Sequence, residues 1–160
     1  MKAQWLALAL LAIFMFGCSS DPVPTYTSHS FAIRADDTIN PSNSSKGNPV
    51  VVRLYQLNEK QAFLQAQFIE LYNQDEQVLS ASLISKQVLP IVMPTSTSTI
   101  DIDINKNTLF LAVLVEFADY QQSEPKVVSV LPADEEQYLQ LNLSGNKAEF
   151  EVITPDTGWW

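Results

Sequence analysis

From Ser98 to Ile104 the chain reads STIDIDI, and no other stretch restricts the backbone as tightly. An extended strand puts Ile100, Ile102 and Ile104 on one face and Asp101 and Asp103 on the other, whereas a helix would spread those isoleucines around its axis. Similar strand signals recur along the chain. HSFAIRA (His29–Ala35) carries Phe31 and Ile33 in alternation, and PVVVRLYQL (Pro49–Leu57) is rich in β-branched and aromatic residues. TLFLAVLVEFADY (Thr108–Tyr120) is almost continuously apolar, as expected of a central strand covered on both sides. YLQLNL and KAEFEVI flank Ser144-Gly145-Asn146, a hairpin turn that would align Leu139, Leu141 and Leu143 with Ala148, Phe150 and Val152. Weaker strand signals span Ser85–Val92 and Lys126–Leu131. The expectation is a mainly β fold, a β-sandwich of about eight strands.

One segment departs from this period. After Asn58 the chain reads EKQAFLQAQFIELYNQ, with Leu64, Phe68, Leu71 and Tyr72 at helical spacing. The sequence predicts a helix inserted after the second strand, capped by Asn58 with Gln61 reaching back, and another short helical turn at Asp75–Ser80. Tyr55 and Phe63 are expected in the core, fixing the helix on the sheet. Arg53 reads as a structural arginine with its stem packed and its head paired to a carboxylate.

The N-terminus has its own logic. Lys2 precedes an apolar run, Trp5–Phe16, that is too short to span a bilayer and is followed by Gly17-Cys18. This describes a secretory leader whose end resembles a bacterial lipobox, although Met15 and Phe16 depart from the preferred residues. In that motif the Cys18 thiol receives diacylglycerol, the chain is cut before Cys18, and the new amino group is acylated. An ordinary leader that leaves a free thiol is the alternative. Ser19 after the cysteine favours the outer membrane. The resulting division is a leader at 1–17, acylated cysteine and flexible tether at 18–28, sandwich domain at 29–153 and flexible tail at 154–160. The formal charge of −9 becomes −10 once Lys2 leaves with the leader. Such acidity argues against nucleic acid as a partner.

Residues for catalysis are scarce. His29 is the sole histidine and Cys18 the sole cysteine, so His/Cys zinc spacing cannot be built. His29, at the start of a strand beside the tether, reads as a surface residue rather than a catalytic base, and no G-x-S-x-G accompanies it. Asp101–Asn105 has the spacing that begins a calcium loop, but Lys106 stands where that loop needs glycine. With four glycines in the chain there is no phosphate-cradling loop. The expectation is a non-enzyme with no metal, no cofactor other than the acyl chains on Cys18, and no small-molecule substrate. Between the first two strands lies DDTINPSNSSKGN, Asp36 to Asn48, which is long and polar for a hairpin connection. It reads as a protruding contact loop that a short turn could replace with little effect on melting.

PVVVRLYQL followed by AFLQAQFIELY resembles the TssJ family, outer-membrane lipoproteins of bacterial type VI secretion systems. The similarity rests on Pro49, Val52, Arg53, Tyr55, Gln56 and Leu57, then Phe63, Phe68 and Leu71, with Asn40-Pro41 and Pro94 also fitting. It weakens after Tyr120, where the chain reads QQSEPKVV. The resemblance implies a transthyretin-like sandwich that binds the periplasmic C-terminal domain of TssM, an inner-membrane protein. Its contact region maps onto Asp36, Asp37, Thr38, Ile39, Asn40 and Pro41, then Ser42, Asn43, Ser44, Ser45 and Lys46. A different envelope lipoprotein, an assembly factor or a carbohydrate-binding module, is the competing reading. Sugar-binding sandwiches present aromatics on a face, whereas Trp159 and Trp160 stand at the terminus.

Overall fold

The computed structural model describes residues 25–41, 46–134 and 136–155. In chain order the elements are β1 (Tyr26–Ala35), β2 (Val52–Leu57), α1 (Gln61–Gln65), α2 (Phe68–Leu79), β3 (Leu83–Val88), β4 (Ser96–Asn105), β5 (Phe110–Val115), β6 (Lys126–Val130), β7 (Tyr138–Ser144) and β8 (Lys147–Ile153). The strands form two four-stranded sheets, ordered β4-β1-β7-β8 and β3-β2-β5-β6. The fold is thus mainly β, a sandwich with a helical insertion after β2. Pairing is antiparallel except between β1 and β7, which run parallel with Ile33 opposite Leu141.

The period-two residues explain the central core. Phe31, Ile33, Ile102, Ile104, Leu139 and Leu141 of one sheet close on Val52, Leu54, Leu111, Val113 and Val115 of the other. Each such side chain contributes roughly 1.5–3 kcal/mol by leaving water. On the far face of the second sheet, Ala112 and Leu114 of β5 lie under the helical insertion with Tyr55, Leu57, Phe63, Leu71 and Leu79. Because β5 is buried on both faces, its sequence is apolar without alternation.

Several boundaries move. β1 starts at Tyr26, inside the expected tether, because β4 is long enough to pair it as far as Asn105. The apolar run after Thr108 ends as a strand at Val115, where the amide donates to the Pro125 carbonyl and the chain turns away. Val152 is 47 % exposed at the end of β8 and does not join the core.

The helical insertion is broken at Ala66 and kinked again within α2 at Gln74 (φ −144°, ψ 37°). Ala66 adopts an extended conformation (φ −63°, ψ 143°), and Gln67 caps α2 through a reciprocal capping box with Glu70. The Lys126 ammonium donates to the carbonyls of Phe63, Leu64 and Ala66, terminating α1 with a positive charge where the helix dipole favours one. Asn58 is not a cap; its side chain donates to the Ala81 carbonyl at 3.1 Å. The apolar stripe also shifts, since Phe63, Ala66, Leu71 and Leu79 are buried while Leu64 and Tyr72 remain exposed.

Candidate functional site

The sheet register sorts the loops to two ends of the domain. At one end Tyr26 pairs with Asn105, and Tyr138 with Ile153, so the chain both enters and leaves the sandwich there. At the other end β1 opens into the Asp36–Asn48 loop beside the Gly145 turn, Thr95 and Ala118. A ten-residue β1 separates the two ends by about 30 Å.

The loop is anchored through its base. The Asp36 amide donates to the Leu143 carbonyl at 3.1 Å, and the Asp36 carbonyl accepts from Thr95 N–H at 3.0 Å. One Asp36 carboxylate oxygen accepts from both the amide and the hydroxyl of Thr38, at 2.8 and 2.7 Å. Partial burial pushes the Asp36 pKa up, but hydrogen bonds from Ser144 and Thr38 outweigh it and hold the group below its ordinary value. Gly145 N–H donates to the Thr38 hydroxyl at 3.0 Å, and Asn40 N–H to the Gly145 carbonyl at 2.7 Å.

Two of the expected contact residues face inward. Ile39 is fully buried in the central core, and Asn40 is 7 % exposed. Asn40 has φ of 48°, a conformation that asparagine tolerates better than most residues. Its side-chain nitrogen donates to the Pro49 carbonyl at 3.0 Å, and its side-chain oxygen accepts from Ala118 N–H at 2.8 Å. Gly47 closes the loop where an added Cβ would overlap the Asp37 carbonyl oxygen. The loop is therefore not a detachable appendage: Ile39 on its first limb is part of the core, and Asn48 ties the second limb to the Ile39 and Asn40 carbonyls. Asp37, Thr38 and Lys46 are exposed and Asp36 and Pro41 half-buried. Ser42, Asn43, Ser44, Ser45, Cys18, Trp159 and Trp160 lie outside the described residues.

Beside this end sits a polar network that holds the helices. Arg53 donates from Nε to Glu116 Oε1 at 2.6 Å and from Nη1 to the Tyr72 carbonyl at 3.0 Å and Asp75 Oδ2 at 3.3 Å. Asp75 also accepts from the Tyr55 hydroxyl at 2.9 Å and from Lys86 Nζ at 3.0 Å. Burial pushes the Asp75 pKa up; the bonds from Lys86 and Tyr55 and the Lys86 charge reverse this and leave it lowered. Burial, reinforced by the Asp75 carboxylate, raises the Tyr55 phenol well above its ordinary range. Tyr55 packs on Phe63 with ring centroids 5.6 Å apart, so the expected roles of Arg53, Tyr55 and Phe63 are found.

A feature not anticipated from the sequence is an aromatic stack. Phe68 lies against Tyr120 at 4.8 Å and against Tyr72 at 5.7 Å, and the Arg53 guanidinium sits 5.1 Å from the Tyr72 ring centre. Phe68 and Tyr120 are far apart in sequence, and no local pattern signals their meeting. The stack lines an open groove of about 340 Å³ with Ile69, Glu116 and Phe117.

The other candidate chemistry stays dispersed. His29 is half-buried within β1 opposite Ile102, and among the described residues no three His, Cys, Asp or Glu are grouped to hold a metal ion.

Solved structures share this architecture. The type VI secretion lipoprotein TssJ1 of Pseudomonas aeruginosa is 19 % identical, with a TM-score of 0.74 over 81 % of this chain and 98 % of that one. Lip of Serratia marcescens, described as a membrane-bound component of the type VI secretion system, is 17 % identical with a TM-score of 0.70 over 78 % and 96 %. A chain of a type VI membrane complex is 24 % identical with a TM-score of 0.69 over 78 % and 97 %. At these identities the likeness carries the fold. A sequence comparison with curated proteins gave no match. The family model for the type VI secretion lipoproteins (VasD, EvfM, TssJ) matches residues 27–146, from β1 through β7. This chain belongs to the TssJ family of type VI secretion lipoproteins.

Proposed function

We propose that this lipoprotein ties the type VI secretion membrane complex to the outer membrane by gripping the periplasmic C-terminal domain of TssM with the Asp36–Lys46 loop. The observation that carries the reading is the placement of the chain's approach to β1 and of the loop at opposite ends of the sandwich. Acyl chains on Cys18 would hold one end, and at roughly 0.8 kcal/mol per buried CH₂ two or three of them make a lasting anchor. The link Ser19–Thr25 spans at most about 25 Å when extended. The rigid sandwich then carries the loop a further 30 Å or so into the periplasm. The work done is mechanical: a fixed anchor, a stiff spacer and a grip.

The grip is prepared by the fold. Ile39 and Asn40 fasten one limb of the loop, Gly47 and Asn48 the other, so the base of the loop is already formed before the partner arrives and less ordering entropy opposes binding. The account is tested by separating anchor from grip. Cys18→Ser should leave the membrane fraction yet still capture the TssM domain, whereas replacing residues 41–46 should leave the protein in the membrane without its partner. If Cys18→Ser still fractionates with the outer membrane, the anchor assignment fails. If the loop variant keeps its partner, the grip assignment fails.

A further inference from the structure

We infer that the groove between α2 and the β5–β6 connection is a second contact for the same partner, receiving an apolar side chain flanked by lysine or arginine. This extends the reading of the loop end as the partner-facing end and rests on it. The first argument is continuity. Ala118 lines the groove, and its amide donates to Asn40 at the base of the loop, so the groove lies directly beside the loop base. The second is apolar exposure in one place. Ile69, Tyr72 and Tyr120 are 41, 43 and 37 % exposed around the same opening, a cluster that marks interaction sites more often than scattered apolar residues do.

The third argument is charge. Exposed Glu70 and Asp119 adjoin the groove lining, and Asp37 stands exposed on the loop. The cations that adjoin the groove itself are occupied: Arg53 is paired with Glu116 and Asp75, and Lys126 is bound to the carbonyls that end α1, while exposed Lys46 stands on the loop. A basic flank on the incoming segment would complement this acidic rim. Ring geometry favours a protein segment over a glycan. Phe68 is stacked on both tyrosines and Arg53 sits over the Tyr72 ring. Of the three rings only Tyr120 keeps a face without a partner among the described residues, too little for the aromatic platform a sugar would need. The groove instead offers the Ile69 side chain, the exposed parts of Tyr72 and Tyr120, and the Glu116 carboxylate.

Photocrosslinking in cells with an intact secretion system tests this directly. A benzophenone amino acid is placed in the full-length protein at Ile69, at Tyr120, at Lys46 in the loop, and at Asp101 on the exposed face of β4. The expected result is an adduct with TssM from positions 69, 120 and 46, absent from 101, with the groove adducts mapping to a TssM peptide that joins an apolar residue to Lys or Arg. Adducts from 46 alone would overturn the groove while sparing the loop. No TssM adduct from 46, 69 or 120 would overturn both, and adducts from 69 and 120 only with cell-wall glycan would overturn the protein contact. As a second readout, Ile69→Asp should weaken TssM binding about tenfold or more, the scale of a 1.4 kcal/mol contact, without changing the melting temperature. Unchanged affinity in a folded Ile69→Asp protein would contradict the groove.

Discussion

The side chain of Asn40 accepts a hydrogen bond from the backbone amide of Ala118 at 2.8 Å, joining positions 78 apart in sequence. Through the same side chain Asn40 also holds the Pro49 carbonyl, so one residue fastens the loop, the approach to β2 and the exit of β5. Asn40→Ala would leave those backbone groups unpaired and would put a Cβ-bearing residue without a polar side chain at positive φ. The expected loss is about 2–4 kcal/mol, read from urea denaturation. Asn40→Gly relieves the backbone term and should cost less than Asn40→Ala; an equal or larger cost would show that the φ argument is wrong.

Ile39 and Lys46 belong to the same loop but should behave oppositely. Ile39→Ala opens a cavity in the central core and should cost about 2–5 kcal/mol. Lys46→Ala removes an exposed side chain and should change stability by less than about 0.5 kcal/mol while weakening TssM binding. Thermal melts of the two variants, run beside a binding assay, check both halves.

Asp75 gives the fold a dependence on pH whose sign can be worked out. Its folded-state pKa is lowered, so the unfolded chain binds a proton at higher pH than the folded one. The stabilisation is then present above the unfolded value of about 3.9 and is lost as pH falls through the lower folded value. Asp36 is shifted in the same direction and adds to the same window. Asp75→Ala should cost about 2–4 kcal/mol at neutral pH, because Tyr55, Arg53 and Lys86 lose a shared partner. Denaturation of this variant between neutral pH and about pH 3 should show a shallower acid decline than wild type. An unaltered slope would remove Asp75 from the account.

Gly47 is fixed by a close approach. A methyl group there would overlap the Asp37 carbonyl oxygen, which is backbone and cannot swing away. Gly47→Ala should therefore cost about 1–3 kcal/mol and lower the affinity for TssM by disturbing the loop frame. Wild-type melting together with wild-type affinity would show that the loop accommodates the methyl freely.

The strands were legible because burial on one face imposes a period of two, as in Ile102 and Ile104, and burial on both faces imposes a run such as Leu111–Val115. The break at Ala66 was not legible. Alanine and glutamine are good helix formers, and what stops α1 is Lys126, an ammonium brought from a distant strand. The polar loop could be read from composition, yet the inward position of Ile39 depends on the Gly145 turn and the β5 exit meeting around it. The groove was hidden for the same reason: Phe68 and Tyr120 become neighbours only when α2 settles beside the end of β5.

The most direct test of the central claim is titration calorimetry of the chain from Ser19 onward against the periplasmic C-terminal domain of TssM, with the 41–46 replacement measured alongside. The account predicts saturable one-to-one binding in the micromolar to high nanomolar range, of the order expected for a contact of modest area. It also predicts that this binding is lost in the loop variant while the melting temperature stays within a few degrees of wild type. Absence of heat and of co-elution at tens of micromolar, or full affinity retained without the loop, would contradict it.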